Sequence, residues 1–180
     1  MKYLLTVTAL ILCLYPLPLI AAQPLSTGDK IPDNFKALDQ HNNPQTLETL
    51  RGEKGTVILF VRSLDWCPYC KAQITEMNDN LQLFTEAGFK VVSVSYDNTD
   101  TLKNFAEQKS IKFHLLSDPE SQVIDDFGIL SKEHKPDTRF YGIPQPTIYI
   151  LDKSGTITAI LSEEGYKTRP PLEDILKALE

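Results

Sequence analysis

One unbroken apolar run, TVILFVRS (56–63), constrains the fold of this chain more than any other segment. It lacks the alternation of polar and apolar side chains that marks a half-exposed strand, so it predicts a strand covered on both faces. A second run of the same kind, FKVVSVSY (89–96), follows after an amphipathic stretch. Strands buried on both sides need helices above and below them, which favours a layered α/β architecture.

Helical patterns alternate with these strands. Ile74, Met77, Leu81 and Phe84 are spaced by three and four residues and predict one helix that begins at Pro68 and stops at Gly88. The remaining predictions are two short strands around an Asn-Asn-Pro turn, helices over about 99–109 and 119–129, strands over 113–118, 147–152 and 156–162, a long loop over 131–146, and a C-terminal helix in PLEDILKALE. The order predicts a three-layer sandwich with a mixed central sheet flanked by helices.

The first 22 residues have the form of a secretory signal peptide. Lys2 precedes an apolar run, Pro16 and Pro18 interrupt it, and the small residues Ala21 and Ala22 suit a cleavage site. An uncleaved membrane anchor is the alternative, which the prolines and the short apolar stretch oppose. We therefore expect a signal peptide over 1–22 and one domain over 23–180. The mature chain is expected in the periplasm or another extracytoplasmic space, without stable insertion in the membrane.

Charge and cysteine content narrow the function. The net charge of −6, without a cluster of Lys and Arg, argues against nucleic acid as a partner. Signal cleavage removes Cys13 and leaves Cys67 and Cys70 in the stretch SLDWCPYCKAQ. Three interpretations are open: a redox dithiol, a structural disulfide, or part of a metal site. The loop between the two cysteines is too short for their disulfide to constrain the unfolded chain much.

The position of the pair favours redox chemistry. Cys67 is predicted at the N-terminus of a helix, where free backbone N–H groups and the helix dipole stabilise a thiolate. Cysteine pKa values in such settings fall from about 8.5 to roughly 3.5–7.5. The charge of Asp65 opposes this effect, and that of Lys71 partly offsets Asp65.

Several motifs together resemble a known fold family. A strand that ends in WCPYC and continues as a helix, with IPQPTIYILD and KSG much later, resembles the thioredoxin fold. The tracts GDKIPDNFKALDQHNNPQTLETLRG, VVSVSYDNTDTLKNFAEQ and FHLLSDPESQVIDDFGI are similar to the redoxin branch, which includes the alkyl hydroperoxide reductase/thiol-specific antioxidant (peroxiredoxin-like) proteins. The resemblance covers most of residues 26–162.

This resemblance implies roles for individual residues. Cys67 is the nucleophile, Cys70 is the resolving thiol, and the two form a redox-active disulfide. Pro146 is the cis-proline that faces the dithiol, with Pro144 as its rival for that place. The remaining candidates, for substrate contact, are Trp66, Pro68, Tyr69 and Thr147. No cofactor and no bound metal are implied.

The chain also departs from the family pattern. Peroxidatic members carry Pro-x-x-x-Thr-x-x-Cys, and the matching positions here are Phe60, Leu64 and Cys67. The arginine that polarises peroxide in the family would fall at Pro146; Arg62 and Arg139 are substitutes away from the matching position. The acid that thioredoxins bury behind their dithiol corresponds to Val61.

The leading hypothesis is therefore an exported thiol–disulfide oxidoreductase. Its partners would be protein or small-molecule thiols and disulfides, including a membrane or periplasmic redox partner. One alternative is a thiol-dependent peroxidase that uses Cys67 as its peroxidatic cysteine. The other is a copper(I)-binding or metal-delivery module in which His134 joins the two cysteines; a solvated loop histidine is the competing interpretation of His134.

Overall fold

A seven-stranded mixed sheet runs through the part of the chain that the computed structural model describes, residues 23–136, 138–165 and 167–180. Its strand order is β2-β1-β5-β4-β3-β6-β7. The strands are β1 (Lys36–Asp39), β2 (Pro44–Thr46), β3 (Gly55–Phe60), β4 (Phe89–Ser95), β5 (His114–Ser117), β6 (Thr147–Asp152) and β7 (Ile157–Ser162). The β3, β4 and β5 strands are parallel, and all other neighbours are antiparallel. The mixed sheet is confirmed.

Helices cover both faces of this sheet. They are α1 (Leu47–Leu50), α2 (Pro68–Asp79), α3 (Leu81–Glu86), α4 (Thr99–Lys109), α5 (Gln122–Asp126) and α6 (Leu172–Lys177). One core contains buried side chains of α2, α4 and α6, and the other contains those of α1 and α5 with the lead-in segment. The predicted three-layer sandwich is therefore confirmed.

The central strand β3 shows why both layers are needed. Val57 and Leu59 belong to the core on the α2 side, whereas Ile58 and Phe60 belong to the opposite core. All four side chains are at most 1% exposed. Since successive side chains of a strand point to opposite faces, an unbroken apolar run supplies both cores at once.

Three local features differ from the sequence prediction. The helix expected from Pro68 to Gly88 is two helices, because Asn80 leaves helical geometry at φ −107° and ψ 13°. The helix expected from residue 119 begins only at Gln122, since Ser121 lies in the left-handed region at φ 55°. The one-turn helix α1 was not expected at all.

The signal peptide predicted over 1–22 lies outside the described residues. Within the described ranges, no helix combines the length and apolar character needed to cross a bilayer.

Candidate active site

The two cysteines lie close together where the connection from β3 enters α2. Cys67 is the N-cap residue of α2, and its Sγ accepts a hydrogen bond of 3.2 Å from the backbone N–H of Cys70. Pro68 occupies the first helical position, where a missing N–H costs nothing. The sulfurs form a Cys67–Cys70 disulfide, with the two Cα atoms 5.3 Å apart. This disulfide, which can accept two electrons and open to a dithiol, lies at a helix N-terminus, the position that the sequence predicts for the two cysteines.

Both sulfur-bearing side chains are enclosed. Cys67 is 2% exposed and Cys70 is 0% exposed. They belong to the same core as Val61 and Leu64. The position at which the resemblance expects a buried acid is therefore an apolar side chain packed in that core.

A buried carboxylate nevertheless binds the residues just before Cys67, and it comes from the segment that follows the neighbouring strand β4. Asp97 follows β4 and accepts hydrogen bonds from the backbone N–H of Leu64 and the hydroxyl of Ser63, both at 2.7 Å. The Ser63 oxygen in turn accepts from the backbone N–H groups of Asp65 at 3.0 Å and Trp66 at 3.4 Å. Asp97 and Ser63 thus fix residues 63–66, called the dithiol loop below, which lead directly into Cys67 at the N-cap position.

This carboxylate lies in an environment that opposes its charge. Burial raises the pKa of Asp97, although hydrogen bonds from Leu64, Ser63 and Ser95 favour the ionised form. Ser95 contributes a bond of 2.8 Å to the second carboxylate oxygen. Sequence reasoning missed Asp97; the signal available was an Asp directly after a buried strand neighbouring β3.

Trp66 joins the dithiol loop to the long loop over 131–146. Its indole N–H donates to the Tyr96 hydroxyl at 2.9 Å, and that hydroxyl donates to the backbone oxygen of Arg139 at 3.0 Å. The Trp66 ring packs edge-on against Phe140, with centroids 4.8 Å apart. The Arg62 guanidinium lies 5.2 Å from the Trp66 ring centroid. Trp66 is thus partly buried under a cation and an aromatic ring.

Pro146 lies at the same end of the sheet as the dithiol loop. Thr147 pairs with Phe60 across β3 and β6, so the residues before Thr147 and after Phe60 are neighbours. A cleft of about 310 Å³ has Arg62, Pro144 and Pro146 in its wall. The Thr147 side chain is 7% exposed, and its hydroxyl donates to the backbone oxygen of Gln145.

The prediction of a cis-proline at Pro146 is wrong. No cis peptide bond occurs among the described residues, so the bonds before Pro144 and Pro146 are both trans. Extended pairing accounts for this: Ser131 donates to the Ile143 oxygen, and Gln145 donates to the Ile129 oxygen. Pro144 forms an isolated antiparallel bridge with Leu130, and the trans form is the lower in free energy for an X–Pro bond.

Two further candidates lie on the outer surface of α2. Pro68 is exposed, and Tyr69 is 39% exposed. Their role in substrate contact stays a prediction.

A guanidinium contacts the second sulfur, which sequence reasoning also missed. A terminal nitrogen of Arg169 donates to Cys70 Sγ at 3.4 Å, from 99 positions further along the chain. The Arg169 Nε donates to the Gln73 side-chain oxygen at 3.1 Å. Nothing local in the sequence could reveal this contact, since it depends on how the segment after β7 returns to α2.

The metal hypothesis finds no support in the geometry. Among residues 23–136, 138–165 and 167–180, no cluster of three or more His, Cys, Asp or Glu side chains is arranged to hold an ion. The Nε2 atom of His134 lies 3.4 Å from an Arg62 guanidinium nitrogen, and its ring lies 5.4 Å from that of Phe140. His134 is thus part of the packing around Trp66.

Comparison with known proteins agrees with this architecture. Residues 27–160 match the model of the AhpC/TSA family. A chloroplastic peroxiredoxin Q of Sedum lineare is 27% identical over 154 residues, which cover 86% of this chain and 78% of the relative. The thiol-disulfide oxidoreductase ResA of Bacillus thuringiensis subsp. konkukian is 27% identical over 158 residues, which cover 87% and 80%.

A solved structure shows the same fold. The crystal structure of peroxidoxin BcpB from Mycobacterium tuberculosis superposes with a TM-score of 0.72 at 24% identity. The match covers 85% of this chain and 95% of that one.

Proposed function

The chain belongs to the AhpC/TSA family of thioredoxin-fold redox proteins, and from that premise we propose that it is an exported thiol–disulfide oxidoreductase. It works by reversible formation of the Cys67–Cys70 disulfide. The observation that carries the proposal is this disulfide, closed across the first turn of α2 with Cys67 as N-cap.

The exchange has two steps. In the reduced protein the Cys67 thiolate attacks one sulfur of a substrate disulfide, forms a mixed disulfide and releases the other substrate sulfur as a thiolate. The Cys70 thiolate then attacks the Cys67 sulfur, closes the Cys67–Cys70 disulfide and releases the second substrate thiolate. The substrate gains two electrons and the protein loses two. The same steps in reverse oxidise a substrate dithiol.

Local geometry supports Cys67 as the attacking sulfur. Its position as N-cap places it at the positive end of α2, and the Cys70 N–H already donates to its Sγ. A hydrogen bond and a helix dipole both favour the thiolate over the thiol.

The peroxidase is the second candidate, and the peroxiredoxin Q relative favours it. The position that holds threonine in the peroxide-binding pattern is Leu64, which is 2% exposed and packed in the core with Cys67. Leu64 therefore offers no side-chain hydroxyl to a peroxide. Disulfide exchange needs no such group, so it remains the better supported reaction.

Export and partners complete the proposal. The signal-like segment over 1–22 and the acidic chain fit a periplasmic or other extracytoplasmic protein that exchanges electrons with a membrane or periplasmic redox partner. N-terminal sequencing of protein recovered outside the cytoplasm should then begin near Gln23. Recovery only of a chain that starts at Met1 would contradict export with cleavage.

Turnover of a peptide disulfide tests the activity directly. With glutathione as electron donor, the wild-type protein should reduce a fluorescent peptide disulfide catalytically. Cys67→Ser should abolish turnover, because the attacking sulfur is lost. Cys70→Ser should retain attack and accumulate a mixed disulfide on Cys67, visible by mass spectrometry. Equal activity of Cys67→Ser and wild type would refute the proposal.

A further inference from the structure

The Arg169 guanidinium is fixed against the second sulfur by three of its nitrogens. One donates to Cys70 Sγ at 3.4 Å, Nε donates to the Gln73 side chain at 3.1 Å, and the other terminal nitrogen donates to the Thr168 backbone oxygen at 2.7 Å. Gln73 follows Cys70 on α2 and is 5% exposed. The cation is thereby oriented by the same helix that carries the dithiol.

The two sulfurs have different means of stabilising a negative charge. Cys67 is the N-cap and receives a backbone N–H. Cys70 lies inside the first turn and is 0% exposed, so it lacks both the N-cap position and contact with solvent. Burial of a thiolate without a counter-charge raises the thiol pKa. A cation beside the sulfur acts in the opposite direction, because it favours the thiolate.

The free energy of keeping the Arg169 guanidinium charged in this buried position depends on the redox state of the two cysteines. Burial, and then the nearby charge of Arg62, lowers the pKa of Arg169. In the disulfide the guanidinium faces a neutral sulfur, whereas in the dithiol it faces a group that can ionise. The charge of Arg169 therefore favours the reduced pair over the disulfide.

We propose that Arg169 is a catalytic residue that stabilises the Cys70 thiolate, an inference that rests on the proposed dithiol exchange. When the pair closes, Arg169 holds Cys70 as the thiolate that attacks the Cys67 sulfur, the Cys67–substrate bond breaks, and the substrate thiolate leaves. When an external thiolate attacks Cys67, the Cys67–Cys70 bond breaks and Arg169 stabilises the departing Cys70 thiolate. A leaving thiolate of lower pKa departs faster.

Other charges surround the pair and stay unchanged in the test. Arg62 stacks on Trp66 and is the second cation. Asp97 is buried beneath the dithiol loop, Asp65 is exposed on that loop, and Lys71 follows Cys70 on α2. Arg169 differs from these groups in that one of its terminal nitrogens donates directly to Cys70 Sγ.

The test is the equilibrium of the Cys67/Cys70 pair with reduced and oxidised glutathione at pH 8. Trypsin cuts after Arg62 and Lys71, so one peptide, residues 63–71, carries both cysteines and reports their redox state after acid quenching. Wild type is compared with Arg169→Gln and Arg169→Lys. The matched control is Lys167→Gln, which removes one exposed positive charge from the same segment.

Arg169→Gln should shift the equilibrium at least about tenfold toward the disulfide, which is a potential about 30 mV lower for a two-electron couple. Its disulfide should also open more slowly in glutathione. The equilibrium constant of Arg169→Lys should stay within about threefold of wild type, because lysine keeps the positive charge near Cys70. That of Lys167→Gln should stay within about twofold, because Arg169 is unchanged.

Two results would overturn the role of Arg169. One is an equilibrium constant for Arg169→Gln within twofold of wild type. The other is an equal shift in Arg169→Lys and Arg169→Gln, which would show that shape and not charge matters. If Arg169→Gln does not fold, Gln73→Met removes the Nε anchor and should shift the equilibrium in the same direction; no shift there would also refute the proposal. Because this equilibrium exists without turnover, its outcome is separate from the peptide-disulfide assay.

Discussion

At the scale of single residues, Ser63 and Asp97 fix the backbone of the dithiol loop that leads into Cys67. Ser63 is 0% exposed and links the Asp97 carboxylate to the backbone N–H groups of Asp65 and Trp66. Ser95 bonds to the same carboxylate but does not bridge to the loop in this way. The two serines therefore separate loop positioning from simple stabilisation of Asp97.

Ser63→Ala should lower the free energy of unfolding by about 1–3 kcal/mol, since it leaves buried hydrogen-bonding groups without their partner. It should also slow exchange with glutathione disulfide several-fold, because Cys67 is less firmly held as N-cap. Urea unfolding and stopped-flow thiol trapping measure the two effects. Ser95→Ala is the control: it should lose similar stability and keep the exchange rate. Equal exchange rates in the two variants would refute loop positioning by Ser63.

The sequence predicts contacts between neighbouring positions at this site but not contacts between distant ones. The CPYC pair and its place at a helix start were predictable, because both follow from neighbouring positions in the chain. Asp97 lies 33 positions from Leu64 and Arg169 lies 99 positions from Cys70, so only the fold brings each pair together. The resemblance expects a buried acid at Val61; the buried acid near the pair is Asp97, which follows β4 and bonds to Ser63 and Leu64 rather than to a cysteine.

At the scale of elements, a carboxylate organises the turn between β1 and β2. Asp39 is 1% exposed and accepts from the backbone N–H groups of His41 at 2.8 Å and Asn43 at 3.0 Å, and from the Gln45 side chain at 2.8 Å. The His114 ring of β5 lies 3.2 Å from the same carboxylate. Burial acts to raise the pKa of Asp39, but these bonds and the charge of His114 outweigh it and lower the pKa.

Asp39→Asn should therefore destabilise the fold by about 1.5–3 kcal/mol at neutral pH. A carboxyl with a lowered folded pKa stabilises the fold above its unfolded pKa, and that contribution is lost as pH falls through the folded value. The stability gap between wild type and Asp39→Asn should then narrow as pH drops below 3.8, the unperturbed value. Urea midpoints from pH 7 to pH 3 measure it, with the exposed Asp33→Asn as control. A gap that widens in acid would contradict this account.

Helix continuity was the weakest part of the sequence prediction. Ile74, Met77 and Phe84 are all buried in one core, so the spacing of apolar residues correctly identified the face that packs. That spacing does not report backbone dihedral angles, and Asn80 ends α2 without disturbing which side chains face inward. The central strands were predicted well, because strands buried on both faces are near-continuous runs of apolar, often β-branched residues.

At the scale of the whole molecule, the stability of the fold rests on its hydrophobic cores more than on the disulfide. Two separate hydrophobic cores, one on each face of the sheet, hold the layers together. The Cys67–Cys70 bridge spans a sequence separation of 3, and so short a loop adds little constraint on the unfolded chain. Reduction should therefore leave the fold intact, as the proposed thiol–disulfide exchange requires.

A comparison of the rates at which two oxidants react with Cys67 tests the central claim most directly. The fully reduced protein is mixed with either glutathione disulfide or hydrogen peroxide, quenched in acid, and the peptide 63–71 is analysed by mass spectrometry. Disulfide exchange predicts a glutathione adduct on Cys67 followed by closure to Cys70, faster than glutathione disulfide reacts with free cysteine, while peroxide oxidises Cys67 no faster than it oxidises free cysteine. Oxidation of Cys67 by peroxide at least about a hundredfold faster than that of free cysteine, with sluggish exchange, would contradict the account and identify a peroxidase.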